Sequence, residues 1–225
     1  MEETARARGQ RLARESLAQG DPTGWFETLY ASAHGDAHAI QWADMAANPN
    51  LVAWLEGARL RGDGKRALVI GCGLGDDAEE LARAGFAVVA FDISPTAIAW
   101  CHERFPDSPV RYVVADLFAS PCDWQGMFDL VLEAYTLQVL PADSRPPAIE
   151  HIASYVAPGG RLLVICRGRD VGDDPGRMPW PLTRGELELF RAHGLRELRF
   201  EDYIEHEASP TRRFRVEYQK VSSGE

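Results

Sequence analysis

A glycine-rich turn, Gly71-Cys72-Gly73-Leu74-Gly75, runs directly into two carboxylates, Asp76 and Asp77. Glycines at this spacing let the main chain pass close to a ligand, because no Cβ stands in the way. A dinucleotide fingerprint would read GxGxxG, and here Asp76 occupies the position of its third glycine. Pyrophosphate held by the amides of a helix N-terminus would meet both carboxylates, and repulsion disfavours it; a cationic ligand would not suffer this. Further acids close the apolar runs: Asp92 ends AVVAFD, Asp116 ends VRYVVAD, and Glu133 stands in FDLVLEA two places before Tyr135. His34 and His38 lie in AHGDAHA, one helical turn apart with Asp36 between them. No third ligand accompanies them at metal-binding spacing, so no metal site is predicted, but either could act as a general base.

These groups need a scaffold, and short β-branched runs alternating with helical stretches predict an α/β fold with a parallel sheet. Residues 66–70 form a first strand. Ala78, Leu81 and Ala82 then fall at helical spacing, with Gly85 placed at C′ to stop the helix. Residues 87–92 give a second strand, and Ser94-Pro95 supplies an N-cap and a first-turn proline for the next helix. Strands follow at 110–116 and 128–134. Ile149, Ile152, Ala153 and Val156 line a helix that ends in the turn APGG before a fifth strand, 161–166. Residues 168–182 read as an irregular loop, in which Trp180 either walls an acceptor pocket or only shapes the loop, and Thr183 to Glu186 read as a capping box. The last two apolar-polar alternations, turning near Ser209-Pro210, predict an antiparallel hairpin. Residues 3–19, 23–33 and 48–60 read as helices capping the carboxyl edge of the sheet. The expected fold is a doubly wound, mostly parallel seven-stranded sheet with a terminal antiparallel hairpin. Residues 1–225 are expected to form one domain, with 1–62 as a helical cap or lid and 63–225 as the core. In such sheets ligands bind outside the carboxyl ends of the strands, where the first glycine turn lies.

With 45% hydrophobic residues in 225, the chain can bury one substantial core. A formal net charge of -10 leaves no electrostatic footprint for nucleic acid or an anionic membrane, so a small-molecule or cationic ligand fits better. Cys72, Cys101, Cys122 and Cys166 make no metal-binding spacing and read as free thiols of a reducing compartment. The charged start MEETARARGQRLARE has no apolar h-region, and no run of 18 apolar residues occurs, so a cytoplasmic location is expected.

The ordered set VIGCGLG, FDIS, ADLF, FDLVLEA and APGGRLLVI resembles, segment by segment, the class I S-adenosylmethionine-dependent methyltransferases over roughly residues 64–166. The cofactor, S-adenosylmethionine, carries both an ammonium and a sulfonium. The resemblance implies a Rossmann-like methyltransferase fold and puts Gly71, Cys72 and Gly73 under the methionine portion and ribose. It also implies Asp92 as acceptor for the ribose hydroxyls, Asp116 and Leu117 at the adenine edge, and Ile93 on the ring face. Glu133 and Tyr135 would flank the methionine end and the methyl group. Asp77 is either a cofactor ligand or only a helix N-cap or first-turn carboxylate. Many members carry an acid two places before the first glycine, where this chain has Val69. HAIQWADMAANPNLVAWLE and MPWPLTRGELELF are more loosely similar to the thiopurine, thiol and halide S-methyltransferase group, which makes Trp42, and secondarily Trp25, candidates for covering the cofactor.

The implied reaction is in-line methyl transfer to a small organic molecule, a thiol or another S, O or N nucleophile. A thiol is partly ionised at neutral pH, whereas an alcohol needs a base, for which His34, His38, Glu133 and Tyr135 are the candidates. After the fourth strand EAYTLQVLP lacks the Asn/Asp-Pro-Pro-aromatic string that grips a flipped-out base, which disfavours nucleic acid again. The alternatives are a nicotinamide-dependent oxidoreductase and a non-catalytic protein that binds the same cofactor.

Overall fold

The computed structural model of the chain describes residues 3–206 and 209–221 and is built on one sheet. Its strands are β1 (Arg66–Ile70), β2 (Ala87–Asp92), β3 (Arg111–Val114), β4 (Phe128–Ala134), β5 (Val156–Arg167), β6 (Leu195–Glu205) and β7 (Thr211–Lys220). They lie in the order β3-β2-β1-β4-β5-β7-β6. The first five pair in parallel, and β7 runs antiparallel to both β5 and β6. The order reverses between β1 and β4, which opens a crevice at their carboxyl ends.

Four helices, α4 (Asp76–Arg83), α5 (Pro95–Arg104), α6 (Arg145–Tyr155) and α7 (Arg184–Ala192), follow strands of the sheet. Because both sheet faces are covered, β1 is apolar without alternation. Leu68 and Ile70 pack in one layer with Ile149 and Ile152 of α6 and Phe190 of α7. Ala67 and Val69 pack in the other with Leu81 of α4 and Ile98 of α5. Full burial of each large aliphatic side chain contributes about 1.5–3 kcal/mol.

Ahead of β1 come α1 (Ala5–Ala18), α2 (Gly24–Ala31) and α3 (Pro49–Gly57). Trp25, Leu29 and Tyr30 of α2 pack with Leu74 of the glycine turn and Ala97 of α5, which places α2 over the strand ends. Instead of joining it there, α3 lies on a sheet face. Its stripe of Leu51, Trp54 and Leu55 enters the layer of Ala67 and Leu81, and the Trp54 indole donates to Glu217 Oε2 of β7 at 3.1 Å.

Val156 also departs from expectation. It has left the helix and pairs with Phe128 as the first residue of β5, and a register shift between Phe128 and Leu130 absorbs the APGG segment. A Cβ on Gly160 would stand 2.9 Å from the Phe128 carbonyl oxygen, so this close strand approach requires glycine. The 168–182 segment is irregular, as expected, and is pinned at several points. Gly168 bridges Leu182, Gln10 Nε2 of α1 donates to the Met178 carbonyl at 2.7 Å, and the Trp180 amide donates to the Gln138 carbonyl at 2.7 Å. Among the described residues no helix is long and apolar enough to cross a membrane.

Candidate functional site

A cavity of about 570 Å³ opens where β1, β2 and β4 end. Its floor is the glycine turn, with φ of 58° at Gly71, 53° at Gly73 and 91° at Gly75, values that favour glycine. A Cβ on Gly71 would lie 2.6 Å from Thr136 Oγ1, and one on Gly75 would lie 2.6 Å from the Tyr112 hydroxyl. Asp92 stands beside the turn at the end of β2. Its Oδ2 accepts from the Gly73 amide at 2.9 Å and its Oδ1 from the Ser94 amide at 3.0 Å. Burial pushes its pKa up to about 6, against the opposing pull of those amides. Each oxygen of this fixed carboxylate can accept a second hydrogen bond.

Ile93, Asp116 and Leu117 continue the same wall. Asp116 Oδ1 accepts from the Phe118 amide at 2.9 Å, capping a short 3₁₀ turn over Leu117–Ala119. Across the turn Asp77 also lines the cavity, and its Oδ1 accepts from the Asn48 amide at 2.7 Å, tying the start of α3 to the start of α4. Burial pushes its pKa up to about 6. Asp76 is engaged differently: Arg104 grips both of its oxygens at 2.7 and 2.8 Å. The expectation that two uncompensated carboxylates flank the turn is thereby corrected, because the neutralising arginine comes from α5, far along the sequence. Above Gly73, the Trp42 indole donates to the Tyr30 hydroxyl at 2.8 Å. That hydroxyl would be 3.2 Å from a Cβ on residue 73. Trp25 is buried behind this pair, edge-on to Trp42 at 5.9 Å.

The structure thus gathers Trp42, Gly71, Cys72, Gly73, Asp77, Asp92, Ile93, Asp116, Leu117 and Tyr135 around one space. Glu133, His34 and His38 stand outside it. Glu133 is wholly buried beneath the floor, where its Oε1 accepts from the amides of Thr136 at 2.8 Å and Leu137 at 2.9 Å. Its Oε2 has no partner, and burial pushes its pKa up to about 7. The carboxylate braces the turn after β4 and does not line the cavity. His34 and His38 are exposed on the segment after α2. Among the described residues no group of three or more His, Cys, Asp or Glu could hold a metal ion. Tyr135 does face the cavity, at a φ of 67° that is uncommon for a bulky residue. Its ring lies 4.9 Å from the Arg213 guanidinium carbon, and burial pushes its phenol up to about 12.

Sequence reasoning did not assign Tyr30, Gln138, Arg167, Glu205 and Arg213 to the lining. The last two form a pair, with Arg213 Nε 2.6 Å from Glu205 Oε2. They come from the turn end of the terminal hairpin, and neither residue type nor spacing announces that this end borders the site. Pro179 lines the cavity in place of Trp180, which packs with the cap.

Residues 67–160 match the family profile described as a methyltransferase domain, and β7 inserted antiparallel between β5 and β6 departs from the dinucleotide strand order 3-2-1-4-5-6. Over these residues the chain carries a domain like that of the class I S-adenosylmethionine-dependent methyltransferases. The chain is 33% identical over 119 residues to a ubiquinone biosynthesis O-methyltransferase of Azotobacter vinelandii, a match covering 52% of this chain and 50% of that one. It is 30% identical over 106 residues to thiocyanate methyltransferase 1 of Arabidopsis thaliana, covering 44% and 45%. The chain therefore spans about half the length of these curated relatives. Its fold is shared with the 1,6-didemethyltoxoflavin-N1-methyltransferase of Burkholderia thailandensis, solved with 1,6-didemethyltoxoflavin and S-adenosylhomocysteine. The TM-score is 0.68 at 20% identity, over 88% of each chain.

Proposed function

We propose that the cavity holds S-adenosylmethionine and that the protein methylates a nucleophilic atom of a small organic molecule. The observation that carries this reading is Asp92, a buried carboxylate at the end of β2 whose two oxygens are fixed by the Gly73 and Ser94 amides. Such an acceptor suits a pair of ribose hydroxyls. Gly71 to Gly73 would lie under the ribose and methionine portion, Ile93 against the adenine ring, and Asp116 and Leu117 at its edge. Trp42 and Tyr30 cover the turn, and Asp77 supplies negative charge near its far end. Bound there, the cofactor supplies a methyl group on a sulfonium for in-line displacement.

The remaining work falls to the chain's own residues, which align the acceptor and exclude water. Near-attack positioning of this kind can supply on the order of 7–11 kcal/mol. Tyr135 keeps its proton at neutral pH, because burial pushes its pKa up to about 12. It is therefore suited to orienting an acceptor by donating a hydrogen bond, and unsuited to deprotonating one. With both histidines and Glu133 outside the cavity, the site favours an acceptor already nucleophilic near pH 7, such as a thiol with a pKa of about 8.5. Six acids against three arginines among the lining residues disfavour polyanionic acceptors.

Turnover of methyl-labelled S-adenosylmethionine against a panel of thiols, phenols and amines tests the proposal. Transfer to at least one class, with thiols foremost, is expected. Cofactor binding without transfer to any of them would contradict the catalytic reading.

A further inference from the structure

We propose that Glu27 of α2 is a positioning residue that couples docking of the N-terminal cap to the carboxylate of Asp92, making cap closure and cofactor binding one equilibrium. The inference rests on the reading of Asp92 as the ribose acceptor. Glu27 Oε2 accepts from the Ser94 hydroxyl at 2.6 Å and from the Thr96 amide at 3.2 Å, while Oε1 accepts from the Thr96 hydroxyl at 2.6 Å. Ser94 is fully buried and joins three structures. Its hydroxyl donates to Glu27 while accepting from the Ala97 amide at 3.0 Å as the N-cap of α5, and its own amide donates to Asp92 Oδ1 at 3.0 Å.

The arrangement is electrostatically favourable, since Glu27 presents a carboxylate to the positive end of the ten-residue α5. Hydrogen bonds in such a chain polarise one another, so the Ser94 hydroxyl is a better acceptor for Ala97 because it donates to an anion. One turn further along α2, Tyr30 accepts the Trp42 indole proton above Gly73. Losing the Glu27 contacts would therefore remove the polar tie between α5 and the helix that carries the cover, and loosen the residue that orients Asp92. Neither Glu27 nor Ser94 lines the cavity, so the effect on the ligand is indirect.

The test is a double-mutant cycle read by calorimetry with S-adenosylhomocysteine, alongside hydrogen exchange of residues 24–31. Glu27→Gln should weaken binding about tenfold, the loss expected for weakened charge-assisted hydrogen bonds. Thr96→Val, which removes one donor and leaves Ser94 and Asp92 intact, should weaken it by about threefold. In an Asp92→Asn background Glu27→Gln should cost little, because the relay then ends on an altered group. S-adenosylhomocysteine should slow exchange in α2 of the wild type and not in Glu27→Gln. Additive losses, or α2 protection indifferent to the ligand, would overturn the relay while wild-type binding and its dependence on Asp92 stand. Absence of wild-type binding would overturn the cofactor reading and this inference together.

Discussion

Asp92 and Glu133 look alike in the sequence, each an acid at the end of an apolar run, yet only one of them faces the cavity. The turn after β4 makes the difference. Tyr135 adopts a φ of 67°, and the chain folds back so that Thr136 and Leu137 aim their amides down at Glu133. A strand-end acid is legible from residue type, but the path of the turn above it is not. Glu133→Ala should leave two buried amides without an acceptor and destabilise by about 1–3 kcal/mol for each, while Glu133→Gln keeps an acceptor oxygen and should cost distinctly less. Urea denaturation distinguishes the two variants. Asp92 makes a separate prediction for binding. Burial pushes its pKa up to about 6, and only the ionised form can accept from both ribose hydroxyls. Affinity for S-adenosylhomocysteine should therefore fall as pH drops through 6, and Asp92→Asn should flatten that dependence.

The strands and most helices were legible because their signals are local. β1, β2 and β4 have the bounds that their apolar runs predict, and the Thr183–Glu186 capping box forms as read. What escaped depends on partners distant in sequence, such as Arg104 on Asp76, Ser94 on Glu27, and the sheet face that receives Leu51, Trp54 and Leu55. The glycine turn provides a test at this scale. Gly71→Ala places a Cβ 2.6 Å from Thr136 Oγ1 on a backbone with φ of 58°, so the turn must shift. A loss of about 1–3 kcal/mol in stability and weaker cofactor binding are expected, measurable by thermal melting and calorimetry. The segment bearing His34 and His38 gives the opposite expectation. Both are exposed and stand off the cavity, so His34→Ala and His38→Ala should leave cofactor affinity within about twofold, as surface substitutions usually do.

Taken whole, the molecule holds two acids that line one opening and a third buried outside it, and this shapes its response to pH. Asp77 and Asp92 rise from 3.8 to about 6 and Glu133 from 4.5 to about 7, in each case chiefly by burial. The folded state holds these protons more tightly than the unfolded chain does. Stability of the cofactor-free protein should therefore rise as pH falls from about 7 toward 4.5 and be lowest, for these groups, above 7. Glu201 and Asp202, held below their ordinary values by hydrogen bonds from Arg215 and Arg212, act in the opposite sense and lose their contribution as pH falls below about 4. A melting temperature higher at pH 5 than at pH 8 is expected without ligand, while ligand affinity changes in the other direction. This opposition fits a pocket whose carboxylates serve binding at a cost to folding. The central claim, that this cavity is a cofactor site anchored on Asp92, is tested most directly by titrating S-adenosylhomocysteine into the wild type and Asp92→Ala at pH 7.5. One saturable site in the wild type, lost or weakened about a hundredfold in a variant that still unfolds cooperatively, is the predicted result. Equal affinity in a folded Asp92→Ala protein, or no binding by the wild type, would contradict it.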